Sequence, residues 1–252
     1  MTNWLAELDG RRVTVDVPAS SANLGAGYDC VGLALDIVNR IDLEVRGWSR
    51  GAIELEVEGE GANELPDDGQ NRFVRGLEAA LVAVRGELPG QIGWRISMKN
   101  KIPLTRGLGS SAAATVGGLL AGNSLLGGPL TSGELLRLAN EIEGHPDNAA
   151  AALLGGFVVV DASADPPSAL RFNVPRDLKV VLFIPDLRLS TADMREVLPP
   201  SLPMEDVVTN LGRVAIGVAG IASGSYEYLG ALTRDLIHER YRAASISAGN
   251  WG

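Results

Sequence analysis

Between Pro103 and Leu120 the chain reads PLTRGLGSSAAATVGGLL, a spaced glycine pair, two serines and then a run of small helix formers. Gly107 and Gly109 admit positive φ and allow a ligand close to the backbone, while Ser110 and Ser111 can cap the helix that starts there. Unpaired N–H groups at a helix start, aided by the dipole, form an anion nest suited to phosphate. For the GLG turn alone, an ordinary glycine-rich turn before a helix is an equal alternative. A Walker A loop requires G-x-x-x-x-G-K-[ST], and no lysine stands at the required place. Gly107 to Ala112 does fit the looser G-x-G-x-x-A dinucleotide pattern, but it follows the polar stretch KNKIPLTR and not a buried strand. No acidic residue ends a strand about 20 positions on, so a nicotinamide role is set aside.

Two further stretches are equally dense in polar residues: PASSANLGAGYD (18–29) and EGHPDNAAAALLGG (143–156). Each has a plain structural reading. Asn, Gly and Asp in the first can make turns, and the second can be a helix C-cap at Gly144, a proline-containing turn and a new helix.

These residues need elements to hold them. Val13, Val15 and Val17 alternate with polar residues, as do Ile53, Leu55 and Val57, and Ile92, Trp94, Ile96 and Met98, which predicts three half-buried strands. Phe73, Leu77, Leu81 and Val84 recur at helical spacing, and Thr131 with Glu134 makes a capping box ahead of Leu135, Leu138 and Ile142. Strands return at GFVVVD (156–161) and LKVVLFIP (178–185), separated by SADPPSALRFNVP, whose prolines suggest a domain link. Helices follow from Met204 and from Tyr226. The elements do not repeat as β-α-β-α, so the expected class is α+β, with domains at 1–165 and 166–252.

Composition bounds the partners. The chain has 252 residues, a net charge of −9 and one cysteine, Cys30. That charge disfavours nucleic acid, so any bound phosphate must be held by local geometry. Cys30 reads as a small buried hydrophobe in a reducing compartment. No apolar run reaches the roughly 20 residues of a membrane span and no signal peptide opens the chain, so a cytoplasmic location is expected.

Taken together, VPASSANLGAGYDCVGLAL, IPLTRGLGSSAAA and EGHPDNAAAALLGGF resemble the GHMP kinase superfamily (galactokinase, homoserine kinase, mevalonate kinase and phosphomevalonate kinase). The SSANLG-x-G-x-D and GHPDN forms resemble its homoserine kinase branch, and the likeness extends through STADMREVLP and RDLIHERYR. The resemblance implies a two-domain fold: an N-terminal domain like ribosomal protein S5 domain 2 and a C-terminal ferredoxin-like domain. It implies transfer of the γ-phosphoryl group of ATP, with Mg²⁺, to the side-chain hydroxyl of L-homoserine in threonine biosynthesis. Family members are often homodimers.

The same resemblance implies roles. Pro103, Arg106, Gly107, Leu108, Gly109, Ser110, Ser111, Ala112 and Ala113 would wrap the triphosphate, and Asn71 resembles the adenine contact, with a plain N-cap as its alternative. Glu143, with Ser111, would hold Mg²⁺; Glu141 is the alternative acid. Asp29 and Asn23 would contact the amino end and the hydroxyl-bearing chain of homoserine. Arg195 and Arg242 would grip its carboxylate, with Thr191 adding a hydroxyl. Asn148 and His145 would lie beside the reacting hydroxyl. An Asp replaces this Asn in several related kinases and can act as base; an amide cannot, so transfer without a strong enzymic base is implied.

The family's third motif, G-x-G-P-[TS] with the strand and helix around it, has no counterpart in AASISAGNWG after Arg242. An incomplete C-terminal domain is therefore expected, with a weakly active or purely homoserine- and nucleotide-binding protein as the alternative function. A mevalonate or sugar kinase is a third reading, disfavoured because those substrates carry no amino group to meet Asp29.

Overall fold

Alternating apolar residues build a six-stranded sheet around one long strand. In the computed structural model, which describes residues 4, 7–46, 52–88, 92–184 and 191–247, β1 (Arg12–Asn23) turns back into β2 (Gly27–Arg46). Along one edge β2 pairs antiparallel with β1; the opposite edge carries first β5 (Phe157–Asp161) and then β4 (Gly93–Asn100). β3 (Ile53–Gly59) adds in parallel to β4, and β6 (Ser168–Phe172) adds antiparallel to β5. The β1–β2 register shifts between Pro18 and Ala19. A bulge there is where a residue without an N–H is tolerated.

Four helices lie between β3 and β5 in sequence: α1 (Arg72–Arg85), α2 (Ser110–Leu125), α3 (Ser132–Glu143) and α4 (Asp147–Leu154). Trp94, Ile41, Leu43 and Ile96 of the sheet and Phe73, Leu77, Leu81 and Leu119 of the helices are fully buried. Each such side chain contributes about 1.5–3 kcal/mol of transfer free energy. α1 and α2 approach at backbone distance: a Cβ on Gly118 would stand 1.9 Å from Phe73 O. Only a residue without a side chain permits that crossing. This contact holds α2, and hence the loop before it, against the core.

The C-terminal part is helical: α5 (Thr191–Glu196), α6 (Met204–Ser223), a 3₁₀ turn at Tyr226–Tyr228, α7 (Leu229–Leu232) and α8 (Glu239–Ser247). It grips the tip of the β1–β2 hairpin. Ala26 N donates to Leu232 O at 2.7 Å, and the buried Asn210 donates to Ala26 O at 2.8 Å while accepting from Leu236 N at 3.1 Å. Among the described residues no helix is long and apolar enough to cross a membrane.

Several expectations change. The polar stretch 18–29 is not a loop after the first strand; it forms the end of β1, a three-residue turn and the start of β2. Residues 168–172 of the expected link pair with β5, where Phe172 lies opposite Phe157 with ring centroids 6.2 Å apart. Residues 178–184 form no strand: Val181 is 76% and Phe183 92% exposed, and among the described residues no strand pairs with them. The segment from Tyr226 begins with a 3₁₀ turn and only then a short helix.

Candidate functional site

The glycine loop reaches its place through two anchors. Asn39 Oδ1 accepts from Lys101 N and Ile102 N at 2.7 and 3.0 Å, fixing the chain as it leaves β4. At the other end Ser20 N donates to Leu108 O at 3.1 Å, and Leu108 is buried in the core. Thr105 and Gly107 between them, and Gly109 just beyond the second, all have positive φ.

Gly109, at φ 67°, is the N-cap of α2 and makes no side-chain cap. The expected Ser110 and Ser111 caps are therefore corrected: both serines lie inside the first turn, where their amides have no helical carbonyl to pair with. Ala113 N is tied to Gly109 O at 2.8 Å. The unpaired donors of the helix are thus those of Ser110, Ser111 and Ala112, and Ser111 is exposed. Ala112 and Ala113 bury their methyls in the core. Pro103 and Arg106 are half-buried in the loop. These amides, at the N-terminal end of a 16-residue helix, are where the anion nest anticipated from GLGSS would lie.

The loop touches the second polar stretch. A Cβ on Gly109 would fall 2.1 Å from Ser20 Oγ and 3.0 Å from Asn148 Oδ1, and Ser20 Oγ donates to Asn148 Oδ1 at 2.9 Å. Asn148 thus stands at the mouth of the nest. It belongs to the first turn of α4, whose Asp147 is buried and accepts from Asn148 N at 2.7 Å. His145 Nδ1 lies 3.2 Å from the same carboxylate oxygen. That hydrogen bond raises the His145 pKa above its ordinary value, against the opposing effect of burial.

The two candidate metal acids part company. Glu143 is 5% exposed, accepts from Thr115 Oγ1 at 2.6 Å and lies 3.5 Å from Arg72 Nη1. Thr115 is one helical turn beyond Ser111, on the same face of α2. Glu141 is 56% exposed and pairs with Arg137 on the outer side of α3. Among the described residues no cluster of three or more His, Cys, Asp or Glu could hold a metal ion.

Asn71 has the cap role. Its Oδ1 accepts from Phe73 N at 2.9 Å, its Nδ2 donates to Pro66 O at 2.8 Å, and it is buried. The cap alternative expected for Asn71 is thus present, while one Nδ2 hydrogen and one Oδ1 lone pair are not used by these two bonds.

The hairpin tip carries the second centre. Asn23, Leu24 and Asp29 adopt positive φ, and Asn23 Oδ1 accepts from Asp29 N at 3.0 Å. Arg195, from α5, donates to both oxygens of Asp29 at 2.9 and 2.7 Å and to Tyr28 Oη at 3.0 Å. The guanidinium carbons of Arg195 and Arg242 lie 5.6 and 5.4 Å from the Tyr28 ring centroid, and Arg242 Nε donates to Met194 O at 3.1 Å. His238 packs on Tyr28 with centroids 5.0 Å apart and meets Gly25 O at 2.9 Å. Burial raises the Tyr28 pKa, and Asp29 adds to it. Cys30, half-buried and not fully so, has its thiol pushed up by burial and then by Asp147 and Asp29. The Asp147 carboxylate acts electrostatically on Tyr28, Cys30 and Arg195 of the hairpin-tip cluster. Thr191 opens α5, but its side chain lies outside the described residues.

Sequence reasoning missed Ser20, Tyr28, Asp147, Thr115 and His238. Ser20, Tyr28 and Asp147 lie inside the polar stretches, and reading residues 18–29 as a strand-turn-strand would have set Ser20 on β1. For Thr115 and His238, partners far along the chain supply the signal.

The GHMP kinases N terminal domain model matches residues 72–156. Homoserine kinase of Carboxydothermus hydrogenoformans is 45% identical over 93% of this chain and 75% of its own length. That of Corynebacterium aurimucosum is 42% identical over 93% of this chain and 76% of its own. The crystal structure of homoserine kinase from Cytophaga hutchinsonii superposes with a TM-score of 0.77 at 30% identity, covering 92% of this chain and 74% of that one. With likeness of that extent, the chain belongs to the homoserine kinases of the GHMP kinase superfamily.

Proposed function

We infer that this chain transfers the γ-phosphoryl group of ATP to the side-chain hydroxyl of L-homoserine, giving O-phospho-L-homoserine for threonine biosynthesis. The observation that carries the reading is the packing of Gly109 on Ser20 and Asn148, which sets the start of α2 against β1 of the hairpin whose tip carries the Asp29–Arg195 pair. In this reading the first amides of α2 and the Ser110 and Ser111 hydroxyls bind the triphosphate and meet the charge that spreads over its oxygens during transfer. Asp29 receives the substrate ammonium with Asn23 beside it, and Arg195 and Arg242 receive the carboxylate.

Asn148 orients the acceptor hydroxyl; its amide takes no proton. Asp147 holds the His145 ring and favours its charged form, which suits charge stabilisation near the transferring group better than proton abstraction. Glu143 and Ser111 would hold Mg²⁺. They offer oxygen donors only, and this ion completes its shell with water and phosphate oxygens. When bound, it supplies neutralisation of phosphate charge. The division into domains near residue 165 is part of the same reading, with β6 paired to the first domain's sheet.

The test is an ADP-release assay on the full chain with homoserine, mevalonate, galactose and shikimate, with mass spectrometry for phosphohomoserine. ADP and phosphohomoserine formed with homoserine alone support the reading. Binding of homoserine and nucleotide by calorimetry without product would replace the kinase by a binding protein.

A further inference from the structure

The Asp29–Arg195 contact joins the two side chains assigned above to opposite ends of the substrate. One edge of the Arg195 guanidinium meets both oxygens of Asp29 at 2.9 and 2.7 Å. A guanidinium edge engaged by one carboxylate in this fork has no room for a second carboxylate on that edge. Arg195 therefore grips a substrate carboxylate in that geometry only after Asp29 has let go.

The surroundings permit the separation. The two side chains are 36% and 31% exposed, so water reaches the pair and its net free energy is small. Arg195 retains the Tyr28 hydroxyl at 3.0 Å and the Tyr28 ring beneath it when Asp29 leaves. The Asp29 backbone stays fixed through Asn23 Oδ1. Both groups can part by side-chain rotation while their anchors hold.

We propose that the Asp29–Arg195 pair is a charge-exchange clasp that selects zwitterionic hydroxy amino acids. The carboxylate of the incoming molecule replaces Asp29 on Arg195, and its ammonium takes the released Asp29. One ion pair is exchanged for two, and no charge is left alone. A ligand with only a carboxylate strands Asp29, and one with only an ammonium strands Arg195; each opens the clasp and compensates half of it. The inference rests on the proposed assignment of Asp29 to the ammonium and Arg195 to the carboxylate.

The test uses Asp29→Asn in the full chain. Asparagine tolerates the positive φ at this position, 56°, so the turn is preserved. Dissociation constants are measured by calorimetry for L-homoserine and for 4-hydroxybutyrate, which lacks the amino group. In the variant homoserine is expected to weaken at least about tenfold, as a charged hydrogen-bonded partner is lost. 4-Hydroxybutyrate is expected to bind about three- to fivefold more tightly, because a partly exposed competitor has been removed from Arg195. In an Arg195→Ala background the same change should bring no tightening, whereas a general field effect of the removed charge would persist there.

If 4-hydroxybutyrate binds no better to Asp29→Asn, or still binds better without Arg195, the exchange is overturned while the assignment stands. If homoserine affinity is unchanged, the assignment itself fails. A measurement independent of folding of the variants uses the wild-type chain. Methylammonium at saturation should tighten 4-hydroxybutyrate binding in an NMR titration, since it takes up the freed Asp29; independent binding of the two would overturn the clasp.

Discussion

Gly109 rests on Ser20 so closely that a Cβ would lie 2.1 Å from Ser20 Oγ. The loop and the β1 strand are thus in contact at the point where Asn148 meets both. A side chain at 109 must push Ser20 aside or lift the loop away from the substrate hydroxyl. Gly109→Ala is expected to lower kcat/KM about 100-fold, the effect of a displacement on the order of 1 Å at a reacting centre. Gly107→Ala is milder: nothing lies within 4 Å of its Cβ, and only its φ of 71° opposes the change. Steady-state kinetics of the two variants check this; full activity of a folded Gly109→Ala protein would contradict the placement of the loop.

Glu143 and Glu141 are two residues apart yet occupy different environments. Glu143 is enclosed by Thr115 and Arg72, whereas Glu141 faces solvent beside Arg137. Glu143→Gln is expected to lower kcat at least about 100-fold and to raise the Mg²⁺ concentration needed for half-maximal rate, because a neutral amide stabilises the metal–triphosphate charge poorly. Glu141→Gln should leave both unchanged and shift stability by less than about 0.5 kcal/mol. ADP release measured across a Mg²⁺ series separates the two; equal effects would remove Glu143 from the metal role.

What the sequence made legible was local. The Thr131–Glu134 capping box, the Asn71 cap and the Gly144 C-cap each depend on residues within a turn of one another, and all three are present. The glycine turn before α2 was readable for the same reason, although the serines are in the first turn and not at the cap. Long-range pairing was not readable. β2 runs for 20 residues through glycines and charges that break the alternation, because its two edges meet different strands along its length. Residues 178–184 carry a strand-like apolar run, but such a run makes a strand only where it pairs with an edge, and these residues pair with no strand among the described residues. Likewise Asp29 and Arg195 could each be named as substrate contacts, while their contact with each other, across 166 positions, comes from the docking of α5 on the hairpin tip.

Arg195 presents a planar fork, and geometry as well as charge is at stake. Arg195→Lys keeps the charge but loses the two parallel N–H groups that a carboxylate requires. Both Arg195→Lys and Arg195→Ala are expected to raise the homoserine KM, by roughly 10-fold and 100-fold, with smaller changes in kcat and no change in the KM for ATP. Tyr28→Phe removes only the hydroxyl that accepts from Arg195 and should raise the homoserine KM by no more than about fivefold, within the usual value of one such bond. A loss confined to kcat in the Arg195 variants would place this residue in the chemical step and not in substrate binding.

His145 and Asp147 give a pH signature with a definite sign. The hydrogen bond to Asp147 raises the His145 pKa in the folded state. The contribution to stability is therefore fully present below the unfolded histidine value of about 6.5 and is lost as pH rises through the higher folded value. In Asp147→Asn the amide oxygen can still accept from Asn148 N, but the main charge that favours the imidazolium is gone, and burial, joined by Arg195, then outweighs the smaller opposing effect of Asp29. The His145 pKa should fall below its wild-type value, and the variant's stability deficit should be larger at pH 5.5 than at pH 8.5. The chain has two histidines, so an NMR titration with His145→Gln as the assignment control resolves the resonance. Urea unfolding at the two pH values measures the deficit. An unchanged His145 titration, or a deficit independent of pH, would show that Asp147 does not set the charge of the ring.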